Sequence, residues 1–260
     1  RSSCLYQRQV LLMKRTQPSD PTSRFERQLP LIGPEGQKKL ENSTVLIAGA
    51  GGLGSPAATY LALAGVGELI IVDDDRIQES NLNRQFLHAA ASVGLQKVYS
   101  AEATLTSLAP ETSVIAYPGR IDETSADRLV ADADVVIDAL DNYETRFILH
   151  ESAWNAEIPF IHGAVEGFSG QMTSIIPGKS PCLSCLIPAV PPSGKVPIIG
   201  ATAGVIGSMQ AMEAIKYLTK TGTMISGRLF LWDGQAGRSE FLTIGKRKNC
   251  PVCSYKGDNE

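Results

Sequence analysis

The sequence predicts a doubly wound α/β fold: a Rossmann-like, mainly parallel sheet with antiparallel strands toward the C-terminus. Three observations carry this expectation. Short β-branched runs alternate with longer helical stretches between residues 44 and 163, the pattern of right-handed crossovers onto a parallel sheet. A glycine-rich turn, Gly49-Ala50-Gly51-Gly52-Leu53-Gly54, joins the first strand to the first crossover helix. Beyond residue 164 the rhythm changes, and two strand-like runs flank Asp233-Gly234, a hairpin signal.

The elements follow in order. Residues 1–23 hold four basic residues against one acid and read as an extension, with partial helix over 4–14 and a linker over 18–21. Residues 24–260 read as one domain. A short polar-faced helix is expected over 34–42, a strand over 44–49 and a helix over 53–64. A strand over 68–73, a helix over 96–108 and a strand over 113–117 come next. They are followed by a strand over 134–140, a helix over 142–157 and a strand over 159–163. An antiparallel strand is expected over 169–176. The stretch 203–220 carries little polar surface before Glu213, so it reads as a helix that is deeply buried or at a subunit contact. Residues 227–232 and 238–244 form the hairpin.

Composition excludes several classes. The chain has 260 residues, 43 % apolar and 20 % charged, with 24 Lys+Arg against 27 Asp+Glu for a net charge of −3. Wholesale disorder and a dominant electrostatic role on nucleic acid are both ruled out. Residues 44–67 contain no charge, a span long enough to cross a bilayer, but six glycines and Pro56 break it. It reads as buried soluble structure. Val10-Leu11-Leu12-Met13 is too short for the apolar core of a signal peptide. The expectation is a cytoplasmic protein with neither a membrane nor a nucleic-acid partner.

The glycine turn carries chemistry. Glycines allow a tight turn and let backbone N–H groups approach a phosphate, at a helix N-terminus whose dipole favours anions. The second strand ends in Asp73, 24 residues after Gly49, where a carboxylate accepts hydrogen bonds from ribose hydroxyls. The pattern alone suits a nicotinamide-dependent dehydrogenase. The next residues argue for a triphosphate: Asp73-Asp74-Asp75, then Ser80-Asn81-Leu82-Asn83-Arg84-Gln85 and Lys97. Hydride transfer has no use for such cations, whereas a departing pyrophosphate does. Asp141 stands at the carboxyl end of the fourth strand, suited to holding Mg²⁺ between phosphates. Each residue also has an ordinary reading. Arg84 and Lys97 can be solvated charges and Asp141 a helix cap; the set favours ATP.

With these motifs, and with Arg24-Phe25-Glu26-Arg27-Gln28 before them, the chain from Arg24 to Cys253 resembles the ThiF/MoeB/HesA family of adenylyltransferases, relatives of ubiquitin-activating enzymes. The resemblance implies ATP-dependent adenylation of the C-terminal glycine of a ubiquitin-like sulfur carrier ending in Gly-Gly, giving an acyl-adenylate and pyrophosphate. It implies nucleotide contacts from Gly49, Gly51, Gly52, Gly54, Asp73, Asp75, Asn81, Arg84, Gln85, Lys97, Asp141 and Asn142. Arg84, Lys97 and Asp141 would be catalytic, and Arg27 would reach across a homodimer into the partner's ATP site. The pathway served, whether molybdopterin, thiamine or tRNA thiolation, is not written in these motifs.

Four of the five cysteines form two pairs, Cys182-x-x-Cys185 and Cys250-x-x-Cys253. Without an export signal, that spacing favours a closed structural Zn²⁺ site over disulfides or redox dithiols. Residues 186–204, where family members that form a thioester carry a cysteine, contain none, and little chain follows Cys253 for a rhodanese-like domain. Adenylation without an enzyme-bound thioester is expected. His88, His150 and His162 show no metal or triad spacing and read as structural, and Trp154 and Trp232 read as packing. Two further readings stay open: adenylation of a peptide or small-molecule carboxylate on the same fold, and a carrier-binding scaffold that has lost catalysis.

Overall fold

A computed structural model describes residues 24–188 and 196–254. Its centre is a single eight-stranded sheet in the order β3-β2-β1-β4-β5-β6-β7-β8. The strands are β1 (Thr44–Ala48), β2 (Glu68–Val72), β3 (Ser113–Tyr117), β4 (Val135–Asp138), β5 (Phe160–Glu166), β6 (Ser169–Ile175), β7 (Arg228–Asp233) and β8 (Arg238–Thr243). The first five are parallel and the last three antiparallel. β1, β2 and β4 are runs of Val, Ile and Leu buried along nearly their whole length, because helices cover both faces of the sheet.

On one face lie α1 (Leu29–Glu41), α2 (Gly54–Leu63), α3 (Lys97–Leu108) and α7 (Gly200–Thr219), whose inward residues join Val45, Ile47 and Ile71 in one apolar cluster. On the other lie α4 (Glu123–Ala131), α5 (Tyr143–Asn155) and α6 (Leu183–Leu186), packed on Leu46, Ala48 and Val136 together with the four paired cysteines. The chain reverses its winding between β1 and β4. That switch point is where open α/β sheets leave a crevice beyond the strands' carboxyl ends.

Four readings need correction. Helix α1 begins at Leu29 rather than 34; Gly33, at φ 69°, and Pro34 make a kink in it that a Pro-Glu-Gly reading takes as a start. Helix α7 begins at Gly200, three residues early, and its first residue packs so close to the Asn83–Arg84 backbone that an added Cβ would stand 2.6 Å from the Asn83 carbonyl oxygen. Helix α4 has no counterpart among the expected elements. The cap of α5 is Asn142 and not Asp141: the Asn142 side chain accepts from the Thr145 N–H at 2.9 Å. The expectations over 1–23 lie outside the described residues. Among the described residues, no helix is long and apolar enough to cross a membrane.

Candidate active site

A cleft of about 1,920 Å³ opens at the switch point. Its floor is the glycine turn after β1. Gly49 adopts φ 103°, and a Cβ there would meet the Ala139 carbonyl oxygen at 2.5 Å. A Cβ on Gly54 would fall 1.9 Å from the Gly49 carbonyl oxygen, so only glycine lets the turn close onto α2. Gly49, Gly51 and Gly52 line the cleft. Gly54 does not, and its part is packing.

Asp73, at the end of β2, fastens the turn from the other side. Its Oδ2 accepts from the Ala50 N–H at 2.8 Å and its Oδ1 from the Asp75 N–H at 2.9 Å. Burial pushes the Asp73 carboxyl above its ordinary value, against the pull of Lys97 and these two N–H donors. Lys97, nearly inaccessible at the start of α3, lies 2.6 Å from Asp75 Oδ2 and 3.6 Å from Asp73 Oδ2. The buried ammonium is thus held between two carboxylates beside the glycine turn.

A short helical turn after β2 brings in the remaining polar groups. Gln78 is its N-cap, and Asn81, the third residue, closes the capping box with its Oδ1 accepting from the Gln78 N–H at 2.9 Å, so its Nδ2 keeps donor capacity. The Arg84 guanidinium is steadied by the Ser80 carbonyl and Asn83 Oδ1, both at 2.9 Å. The Arg84 side chain and the Gln85 amide reach the Gly52 and Gly51 positions, within 3.6 and 3.5 Å of where a Cβ would stand. Asp141 and Asn142 line the opposite wall, both exposed. The cleft therefore collects Gly49, Gly51, Gly52, Asp73, Asp75, Asn81, Arg84, Gln85, Lys97, Asp141 and Asn142.

Arg27 is not part of this wall. It is exposed on a segment anchored by Phe25, buried against Gly65, and by Gln28, whose Nε2 donates to the Ala64 carbonyl at 2.8 Å. The anchor holds Arg27 outward from its own chain.

Beneath the Asp141 wall lies a network that the sequence reading missed. Asp138, fully buried at the end of β4, has its Oδ2 2.8 Å from Arg146 Nε and 2.7 Å from His162 Nδ1. Burial alone would raise the Asp138 carboxyl, but Arg146 and His162 more than offset it and hold it below its ordinary value. Arg146 also donates through Nη2 to the carbonyls of Leu140 and Gly163. Gln210, from α7, donates to the carbonyls of Asp138 at 2.8 Å and Ile161 at 2.9 Å. The signals available were a polar residue in each of two apolar strands, Asp138 and His162, and an arginine on the inward side of α5.

Away from the glycine turn, the cleft continues along β6 and β7 past Gly170, Gln171, Leu231 and Trp232. Trp232, expected as packing alone, is half-buried on this wall. The room exceeds what a nucleotide needs and extends toward the antiparallel strands.

The sequence model of the ThiF family matches residues 25–252. The chain belongs to the ThiF family. It is 42 % identical over 232 residues to the SAMP-activating enzyme E1 of Haloferax volcanii, covering 87 % of this chain and 86 % of that one. It is 39 % identical over 245 residues to the adenylyltransferase and sulfurtransferase MOCS3 of Drosophila yakuba, covering 91 % of this chain and 54 % of the relative; the chain thus spans about half the length of that larger protein. Among solved structures, E. coli MccB with MccA-N7isoASN superposes with a TM-score of 0.81 at 22 % identity, covering 91 % of this chain and 75 % of that one. PaaA superposes at 0.76 and 22 %, covering 94 % and 81 %. Those two likenesses bear on the fold. With its ThiF relatives, the chain is an E1-like adenylyltransferase, and ATP use is the family's chemistry.

On the far side of the sheet the four cysteines converge. Cys182 Sγ stands 3.8 Å from Cys185 Sγ and 3.3 Å from Cys250 Sγ, and Cys185 Sγ is 3.4 Å from Cys253 Sγ. All four sulfurs lie within 4.8 Å of one another, unbridged and buried. Zn–S bonds of about 2.3 Å in a tetrahedron place sulfurs about 3.8 Å apart, so the donor set fits a four-thiolate Zn²⁺.

Proposed function

We propose that this adenylyltransferase acts on the C-terminal glycine carboxylate of a ubiquitin-like sulfur-carrier protein of the MoaD/ThiS type. The carrying observation is one continuous cleft with two ends. At one end lie the glycine turn, Arg84 and Lys97; at the other lie Gly170, Gln171 and Trp232, where an extended tail would run.

The chemistry is displacement at the α-phosphate. A glycine carboxylate oxygen attacks that phosphorus, the bond to the bridging oxygen breaks, and pyrophosphate leaves with its electron pair. The obstacle is repulsion between anions, so positioning and cationic neutralisation supply the rate. In this reading Arg84 and Lys97 neutralise the transferring and leaving phosphates. Asp73 receives the ribose hydroxyls. Asn81 and Gln85 donate to phosphate oxygens. Asp141, an exposed carboxylate beside Asn142, would hold Mg²⁺, and the ion would supply neutralising charge for the phosphates.

Two further features belong to the proposal. Arg27, held outward, completes the ATP site of a second copy in a homodimer. A structural Zn²⁺ on Cys182, Cys185, Cys250 and Cys253 ties the C-terminal segment to α6. Among the described residues that line the cleft there is no cysteine, and in this reading the acyl-adenylate is released without an enzyme thioester.

Mass spectrometry tests this. After incubation with Mg·ATP, a Gly-Gly-ending carrier should gain one AMP, and no thiol-labile carrier adduct should form on the enzyme. A carrier of unchanged mass in the presence of an active-site-intact enzyme would favour a peptide or small-molecule carboxylate as substrate.

A further inference from the structure

We infer that His88 is a positioning residue that sets the orientation of the Ala50–Gly51 peptide, and so aims the Gly51 N–H into the nucleotide cleft. The inference rests on the nucleotide reading of the cleft and adds a residue outside it.

The Ala50 peptide groups are held on both sides. The Ala50 N–H donates to Asp73, inside the site. The Ala50 carbonyl is taken by a residue outside the cleft, lying 3.0 Å from His88 Nε2. A trans peptide holds its C=O and the following N–H antiparallel. With the Ala50 oxygen committed to His88, the Gly51 N–H must face the opposite direction, toward the cleft that Gly51 lines. His88 itself does not line that cleft. It borders a separate hollow of about 360 Å³ with Phe86, Tyr99 and Ser100.

The hydrogen bond also fixes the tautomer. A carbonyl only accepts, so Nε2 must carry the proton. Burial and the nearby Lys97 ammonium favour the neutral ring, against the Ala50 carbonyl. Nδ1 is then an acceptor, and the Ser100 hydroxyl, 3.2 Å away on α3, supplies its donor. The same helix starts with Lys97, so one element carries both a cation of the cleft and the hydroxyl that satisfies this tautomer.

A simple buried histidine would serve stability alone; a positioning role makes ATP affinity move separately from folding. His88→Phe keeps the ring and removes the donor, whereas His88→Gln returns an amide donor at similar reach. Ser100→Ala keeps the bond to the Ala50 carbonyl but removes the donor to Nδ1, so the ring is held from one side only. The probes are the Kd of the full chain for Mg·AMPCPP and the KM for ATP and for carboxylate substrate, with thermal unfolding as control. His88→Phe should raise Kd and the ATP KM about tenfold and leave the carboxylate KM within twofold. His88→Gln should return both to within threefold of the parent, and Ser100→Ala should raise them two- to fourfold. Parent-like ATP affinity in folded His88→Phe would overturn the inference, as would equal weakening in His88→Gln. Should His88→Phe fail to fold, unchanged Kd in Ser100→Ala overturns it. Failure of the parent chain to bind Mg·AMPCPP would instead overturn the nucleotide reading itself.

Discussion

Asp138 and Arg146 form an ion pair, Oδ2 to Nε at 2.8 Å, with Asp138 inaccessible and Arg146 almost so where it lines the cleft beside Asp141. The same guanidinium holds the Leu140 carbonyl, one residue before Asp141, and the Gly163 carbonyl on β5. Breaking a buried pair from one side strands a charge, at a cost of about 3–5 kcal/mol. Arg146→Met should therefore destabilise the fold by about that amount in urea unfolding. Asp138→Asn combined with Arg146→Met should recover part of it, since no lone charge remains. A single Arg146→Met loss below about 1 kcal/mol would contradict the pair's structural weight.

The three histidines are held neutral in the fold, which gives stability a pH dependence of definite sign. Burial pushes His150 down to about 3, and His88 and His162 move in the same direction. As pH falls through 6.5 the unfolded chain takes up these protons and the folded chain does not. Stability is thus full above pH 6.5 and is lost from there down toward pH 3, by up to about 1.4 kcal/mol per pH unit for His150. Asp73, raised in the fold, acts in the opposite sense at lower pH. Denaturant midpoints at pH 7.5, 6 and 5 measure this. His150→Phe should lower stability at pH 7.5 yet flatten the slope; an unchanged slope would contradict the assignment.

Arg84 lies against the glycine turn, steadied by Ser80 and Asn83 rather than by a carboxylate. A donor aimed at developing charge is worth about 10²–10³ in turnover. Arg84→Ala should lower kcat by about that factor and weaken ATP binding by less than about tenfold. Equal losses in both would assign Arg84 to ground-state binding alone.

Metal content tests the cysteine cluster. The purified chain should carry one Zn²⁺, and Cys250→Ser should lose it together with the packing of residues 247–254 against α6, where the Arg247 guanidinium donates to the Ser184 carbonyl. Metal-free protein with all four thiols reduced and an unshifted melting temperature would remove the metal from the account.

Much of this architecture was legible because burial on both faces forces apolar runs. β1, β2 and β4 read as strands for that reason, and the cleft gathers the polar residues that follow the glycine turn. What escaped had its causes too. Helix α4 has nine residues and a short apolar face; its signal was a reciprocal cap between Asp122 and Ser125. Gly54 reads as a ligand-binding glycine in sequence, yet its requirement is the Gly49 carbonyl pressed against it. Asp138, Arg146 and His162 are separated in sequence, and each passes singly for an ordinary polar residue; only the β4–β5 pairing, which sets Asp138 beside His162, makes them a unit.

Isotope exchange between labelled pyrophosphate and ATP tests the central claim most directly, since reversible transfer of AMP to an acceptor returns label to ATP and an amide control shows whether that acceptor is the carboxylate. With Mg·ATP and a carrier ending in a free Gly-Gly carboxylate, the chain should catalyse exchange, and a carrier whose terminal glycine is an amide should support none. Absence of exchange with the free carboxylate, or equal exchange with the amide, would contradict the account.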